Sequence, residues 1–231
     1  MSRTIQSLVT VLALTLALAV SAQASLVTLA DNIGNTEFNT AFTTNSDWQA
    51  QAFTTTATAY TITDVALLLS NFTATTGSFD LSIYDSTGTD GSPGAKVADV
   101  RTGIDAITIG LTTALYDVPG LSISLSPGTQ YYLAVTATTL SEDVTYGIEW
   151  SYTEATTGTG FPSAYSFSNN GGASWINLPD NTFTNPSMMR IQASDPTAVP
   201  EPSTYALLCI GLGVVGYARK RMKKDEERMV A

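Results

Sequence analysis

The 231-residue sequence predicts an all-β fold: an antiparallel two-sheet sandwich, jelly-roll-like, lying between two short terminal segments of different character. Three observations predict it. Apolar residues alternate with Thr and Ser over short runs, as strands with one face buried and one face wet require. Turn signals rich in Gly, Pro and Asn separate the runs. No stretch within residues 25–192 sustains a helical period.

Taken in chain order, residues 1–24 have the layout of a secretory signal peptide. Arg3 supplies the positive end, residues 8–20 the apolar run, and Ala22-Gln23-Ala24 the small-x-small site, so signal peptidase is expected to cut after Ala24 and leave Ser25 first. Residues 25–192 are expected to form one β domain. Tyr60 and Ile62 lie on one parity, Val65, Leu67 and Leu69 on the other, so a bulge near Thr63-Asp64 is needed to turn both sets to the core. Further alternating runs are Phe79, Leu81, Ile83; Ile107, Ile109, Leu111; Leu121, Ile123, Leu125; and Val144, Tyr146, Ile148, Trp150. Turns are expected at residues 90–94, at Pro119-Gly120, at Pro127-Gly128 and at residues 169–172.

Residues 193–202 carry Pro196, Pro200 and Pro202, which favour an extended linker over a helix. Residues 203–231 then read as a short membrane helix and basic tail. Residues 205–218 carry no charge, and Arg219, Lys220, Arg221, Lys223 and Lys224 follow at once. A helix of that length spans about 21 Å against a hydrocarbon core of ~30 Å, so crossing requires Ser203 and Thr204 as well as snorkelling bases. The basic cluster would stay in the cytoplasm, placing residues 25–200 outside the cell.

Composition excludes several functions. Residues 25–200 hold sixteen acids against Lys96, Arg101 and Arg190, and such a body repels phosphate backbones, so no nucleic-acid partner is expected. The sequence has no histidine and one cysteine, Cys209. That rules out Ser-His-Asp and Cys-His catalysis, disulfides within the chain and the usual zinc sites. No cofactor is expected.

Val199-Pro200-Glu201-Pro202-Ser203-Thr204, Tyr205, the Gly-rich apolar run and the Arg/Lys cluster together resemble the bacterial PEP-CTERM sorting signal. The tail departs from that pattern by continuing through Asp225, Glu226 and Glu227 to Ala231. The resemblance implies recognition by an exosortase, with Pro200, Glu201 and Pro202 as the sorting motif, in a bacterium that makes exopolysaccharide. Residues 48–55, 78–85, 91–94 and 129–135 are similar to the choice-of-anchor R domain of surface proteins, which implies no catalytic residues.

The remaining candidate sites each have a plain alternative. Asp85 and Asp90 flank a hydroxyl-rich loop that could offer hard oxygen ligands to Ca²⁺, but the loop lacks the acid density of an EF-hand and reads as a hairpin connection. Glu142, Asp143, Glu149 and Glu154 could supply a pair of carboxylates for glycoside hydrolysis. Glu149, however, falls on the polar parity of its strand. Trp48, Trp150, Trp175 and Tyr131-Tyr132 offer flat faces for sugar rings. Trp150 and Tyr131 share parity with core residues, which leaves Trp175, beside a turn, as the candidate sugar contact, with ordinary packing as its plain alternative. Asn71-Phe72-Thr73 is a glycosylation acceptor pattern. The expectation is therefore a non-enzymatic exported surface or matrix protein, with a carbohydrate-binding module and then a carboxylate-dependent glycosidase as alternatives.

Overall fold

A computed structural model describes residues 25–74, 76–137, 139–140, 147–155, 157–160, 164–178 and 185–195, with 211–213, 215 and 219 towards the C-terminus. The strands are β1 (Ser25–Asp31), β2 (Asn39–Thr43), β3 (Trp48–Thr54), β4 (Tyr60–Asn71), β5 (Ser78–Asp85), β6 (Lys96–Asp105), β7 (Ala114–Leu125), β8 (Gln130–Ala137), β9 (Ile148–Tyr152), β10 (Tyr165–Ser168), β11 (Ile176–Leu178) and β12 (Met189–Asp195). They form two antiparallel six-stranded sheets packed as a sandwich. The first sheet runs β1-β12-β4-β9-β2, with β7 on the free side of β4. The second runs β11-β10-β3-β8-β5-β6.

The long strand β4 organises the first sheet. It pairs with β7 along one side, and on the other with β12 at residues 61–67 and β9 at residues 69–71. The slip in its hydrophobic parity is a real bulge. Against β12, Ile62 and Asp64 face the consecutive residues Ala193 and Gln192, leaving Thr63 as the extra residue, while β7 carries its own excess between Pro119 and Ile123. Tyr60, Ile62, Val65, Leu67 and Leu69 consequently all reach the core. From the other sheet Phe53, Phe79, Leu81, Ile83, Leu133 and Val135 meet them. Trp150 is fully buried, and its indole N–H donates to the Met188 carbonyl at 2.9 Å, so the largest core side chain leaves no polar atom unpaired.

Two local expectations fail for stated reasons. Residues 107–111 are not a strand. Ala106–Thr108 form a 3-10 turn in which the Asp105 side chain accepts from the Ile107 amide at 3.1 Å and the Ile109 amide donates back to the Ala106 carbonyl. These local bonds displace a ladder and leave Ile107 and Leu111 59% and 65% exposed, with only Ile109 buried. Pro119-Gly120 is not a turn between strands either. It lies inside β7, where Gly120 takes φ +75° and the pairing with β4 jumps from Pro119 to Ile123. The proline has no amide to place in a ladder and sits where the ladder is already interrupted.

Residues Ser25–Pro196 form one compact unit. Strand β12 continues to Asp195, with Ala193 fully buried, so the first residues of the expected linker belong to the sheet. Of the expected membrane helix at residues 203–231, residues 211–213, 215 and 219 are described and helical. Among the described residues no helix is long and apolar enough to cross a membrane. Ala22, Ala24, Pro200, Glu201, Pro202, Lys220, Arg221, Lys223 and Lys224 lie outside the described residues, while Ser25 opens β1.

Candidate functional site

On the outer face of the second sheet, Ala50, Ala52, Tyr132, Ala134 and Ala164 make a small second cluster, against which Tyr84 and Trp175 pack. Small side chains on β3 and β8 give aromatic rings room to lie down. The Trp175 ring is 6.3 Å from Trp48, tilted, and 6.1 Å from Tyr84, edge-on. Trp48 is fixed by its indole N–H, which donates to the Ala137 carbonyl at 2.8 Å. Gly172, at φ +81°, lies directly against the Trp48 ring, where any Cβ would overlap it. Polar groups border the cluster: the Tyr132 hydroxyl donates to the Gly91 carbonyl, and the Asn177 side chain joins Ser166 and the Asp90 carbonyl. Trp175 is thus half-buried within an aromatic group rather than standing alone.

The Asp85–Asp90 loop is closed upon itself. Asp85 Oδ1 accepts from the Thr87 amide at 3.1 Å, the Thr87 hydroxyl at 2.6 Å and the Ala95 amide at 2.9 Å. Burial pushes this carboxyl up, but the three donors outweigh it and hold it below the usual carboxylate range. The carboxylate works as the internal clasp of a β5–β6 hairpin. Asp90 takes φ 54° and its backbone carbonyl accepts from Asn177. Among the described residues no group of three or more His, Cys, Asp or Glu side chains could hold a metal ion.

Glu149 is spoken for on both oxygens. Oε1 accepts from Thr40 at 2.8 Å and Oε2 from Ser70 at 2.7 Å, tying β9 to the strands on either side. Glu142 and Asp143 lie outside the described residues. The Asn71-Phe72-Thr73 pattern is folded away. Asn71 is 2% exposed and its side-chain amide donates to the Ala106 carbonyl at 2.7 Å, so an acceptor nitrogen is not presented to solvent.

One site has no counterpart in the sequence reading. A cleft of about 350 Å³ opens between the segment entering β2 and the segment leaving β9. It is lined by Asn35, Glu37, Phe38, Thr153 and Glu154, with neighbouring backbone. Phe38 is 54% exposed and its ring lies 6.0 Å from that of Tyr152. The walls are pinned. The Phe38 amide donates to the Tyr152 carbonyl at 2.9 Å, the Thr153 amide to Pro186 at 3.1 Å, and the Asn35 side chain to the Thr157 carbonyl at 2.7 Å. Glu37 Oε1 accepts from Ser151 at 2.7 Å and from Thr113 at 3.0 Å. Residues 34–38 carry no alternating pattern, so nothing in the sequence marks Phe38 as a surface ring.

A β-sandwich body followed by a C-terminal address defines an exported, sorted protein. The address is specific: residues 198–222 match the PEP-CTERM protein-sorting motif, which implies export, association with the cell surface and processing by an exosortase. No curated protein matches the chain. A solved structure from infectious bursal disease virus, Gx strain, is similar over 77% of this chain and 33% of that one, with 11% identity and a TM-score of 0.28. The chain therefore spans about a third of the length of that viral chain. The segments resembling the choice-of-anchor R domain fall on β3, β5, the β5–β6 connection and β8, and the comparisons lend that likeness no support.

Proposed function

We propose that the protein is a non-enzymatic component of the bacterial surface or extracellular matrix. Its N-terminal signal directs export, its PEP-CTERM motif directs sorting, and the β sandwich is the part displayed in association with exopolysaccharide. The observation that carries this reading is the sorting motif at residues 198–222, beginning directly after the compact unit closes at Pro196. The test is replacement of Pro200, Glu201 and Pro202 by Ala in a host with an exosortase. Export should continue, and uncut precursor should accumulate in the membrane with its body outward. If the variant is cut and released like the wild type, residues 205–218 act as an anchor and the sorting reading is wrong. Intact mass of the mature protein reports the cut after Ala24 in the same experiment.

A second reading, a carbohydrate-binding module, is favoured by one observation: Trp175 lies with Trp48 and Tyr84 on a sheet face bordered by Asn177 and Tyr132. Aromatic faces with polar neighbours suit the apolar face and hydroxyl rim of a pyranose. Retention on a polysaccharide column that weakens for Trp175→Ala supports it; unchanged retention removes it.

A further inference from the structure

We propose that the cleft between residues 34–38 and 153–155 binds a sugar unit carrying a protonated amine. The inference goes beyond the sorted surface protein proposed above and stands on a different part of the molecule from Trp175.

The cleft has the size for it. About 350 Å³ lies at the lower end of the range for small-molecule sites and admits one or two pyranose rings. It also has a face. An aromatic side chain more than half exposed in a concave place, tilted against a second ring, presents a flat apolar surface to whatever enters. The charge decides the class of ligand. Glu37 and Glu154 line the cleft and no lysine or arginine does. The bases that the sandwich owns are placed elsewhere: Lys96 pairs with Asp99 at 2.7 Å, Arg190 with Asp64 and Asp117 at 3.3 and 3.5 Å, and Arg101 is on β6 of the other sheet. A phosphate or a uronic acid would meet two like charges there. A neutral sugar would use the ring and give hydroxyl donors to the carboxylates, but would leave both negative charges without a counter-charge. A protonated amine on a pyranose uses both, the ring face on Phe38 and the ammonium against a carboxylate, with a cation–π contribution where it overhangs an aromatic edge.

The Glu37 carboxylate is held for this role. Two hydroxyl donors converge on Oε1, whereas Oε2 takes no hydrogen bond among the described residues. Ser151 and Thr113 thus fix the direction of a charge whose second oxygen stays open to an incoming N–H. With the walls pinned by the backbone bonds from Phe38 and Thr153, little ordering cost remains to be met on binding.

The test uses the full chain purified in detergent micelles and titrated calorimetrically with the glucosamine tetramer in mildly acidic, low-salt buffer. Binding is expected. It should weaken by about tenfold or more for Phe38→Ala, for Glu37→Gln and for the fully N-acetylated tetramer, which has lost its charge. It should also weaken as salt is raised. Glu37→Gln keeps an acceptor for Ser151 and Thr113, and Glu154→Gln changes an exposed side chain; circular dichroism identical to wild type should accompany both. Trp175→Ala should leave this binding unchanged. The proposal is overturned by absence of binding, by equal affinity for the N-acetylated tetramer, by Phe38 and Glu37 variants that bind like wild type, or by tetralysine binding as tightly, which would mark a site for bare cations. None of these results bears on whether the C-terminal motif is cut.

Discussion

Two single-residue deletions in β4 should have unequal costs. Thr63 is the residue that the bulge sets aside, and Ala66 sits in the regular ladder three positions later. Deleting Thr63 brings Tyr60, Ile62, Val65, Leu67 and Leu69 into one unbroken alternation, with every one still facing the core. Strand β12 runs straight from Gln192 to Ala193 opposite the bulge and can pair regularly once it is gone, and β7 retains its own irregularity between Pro119 and Ile123. The losses are one long side-chain bond, Thr63 to the Gln192 carbonyl at 3.4 Å, and some re-aiming of Asp64. A cost of about 1–2 kcal/mol is expected, within the ordinary range for point changes. Deleting Ala66 splits the alternation where none existed. Upstream pairing is fixed by β7 and β12 and downstream pairing by β9, so Leu67 and Leu69 must turn outward to keep the upstream register. Leu68 then takes the place of Leu67 inside, but Ser70 takes that of Leu69, so the loss is one leucine's burial at about 1.5–3 kcal/mol plus about 1–3 kcal/mol for burying the Ser70 hydroxyl away from Glu149, comparable to a large part of the stability of many domains. Urea unfolding of residues 25–196, followed by tryptophan fluorescence, reads both midpoints. Equal losses from the two deletions would refute the bulge account of β4.

Three further outcomes are expected. Gly172→Ala should lower the melting temperature and alter the near-ultraviolet circular dichroism of the tryptophans, since a Cβ there both strains a φ of +81° and collides with Trp48; an unchanged aromatic spectrum would show that Trp48 and Gly172 are not in contact. Asp85 has its folded carboxyl below the usual range, so its contribution is fully present above the unfolded value of about 3.9 and disappears as pH falls through the lower folded value. Asp85→Asn should therefore melt lower than wild type at neutral pH and converge with it in strong acid; a gap constant across pH would count against the clasp. Ending the domain at residue 192 rather than 196 removes Ala193, Ser194 and Asp195 from β1 and the first two of them from β4 as well. The shorter form should show a clearly lower urea midpoint, and equal midpoints would mean that the end of β12 contributes nothing.

The two-sheet fold was legible because its signal is purely periodic. Strand β5 places Phe79, Leu81 and Ile83 inward, and the parity slip in β4 could be read as a bulge before any coordinates. Where periodicity was misleading, a local hydrogen bond had outcompeted it. Residues 107–111 alternate as well as any strand, yet Asp105 caps a turn instead, and no apolar pattern encodes that cap. Pro119-Gly120 carries turn chemistry that serves a bulge within a strand. Trp150 was assigned correctly from parity, and Trp175 only partly, because the alanines that let it lie against Trp48 and Tyr84 come from β3, β8 and residue 164. The cleft at Phe38 was illegible for a related reason. Its two walls are far apart in sequence and meet only because β2 pairs with β9.

The pairing of β1 with β12 makes the first and last strands of the sandwich neighbours, with Ser25 opposite Asp195. β12 is also an interior strand, inserted between β1 and β4, so the edge strand β1 has no neighbour in the first sheet until the final residues of the body are available. A chain delivered from its N-terminus must therefore wait with β1 and β4 unjoined through all of the intervening synthesis and export. Closure of the sheet and arrival of the sorting motif become nearly simultaneous events, because the motif begins at residue 198. Contacts of such long sequence separation form slowly. The topology thus acts as a clock: the body reaches its final form only when the segment that decides its destination has itself emerged.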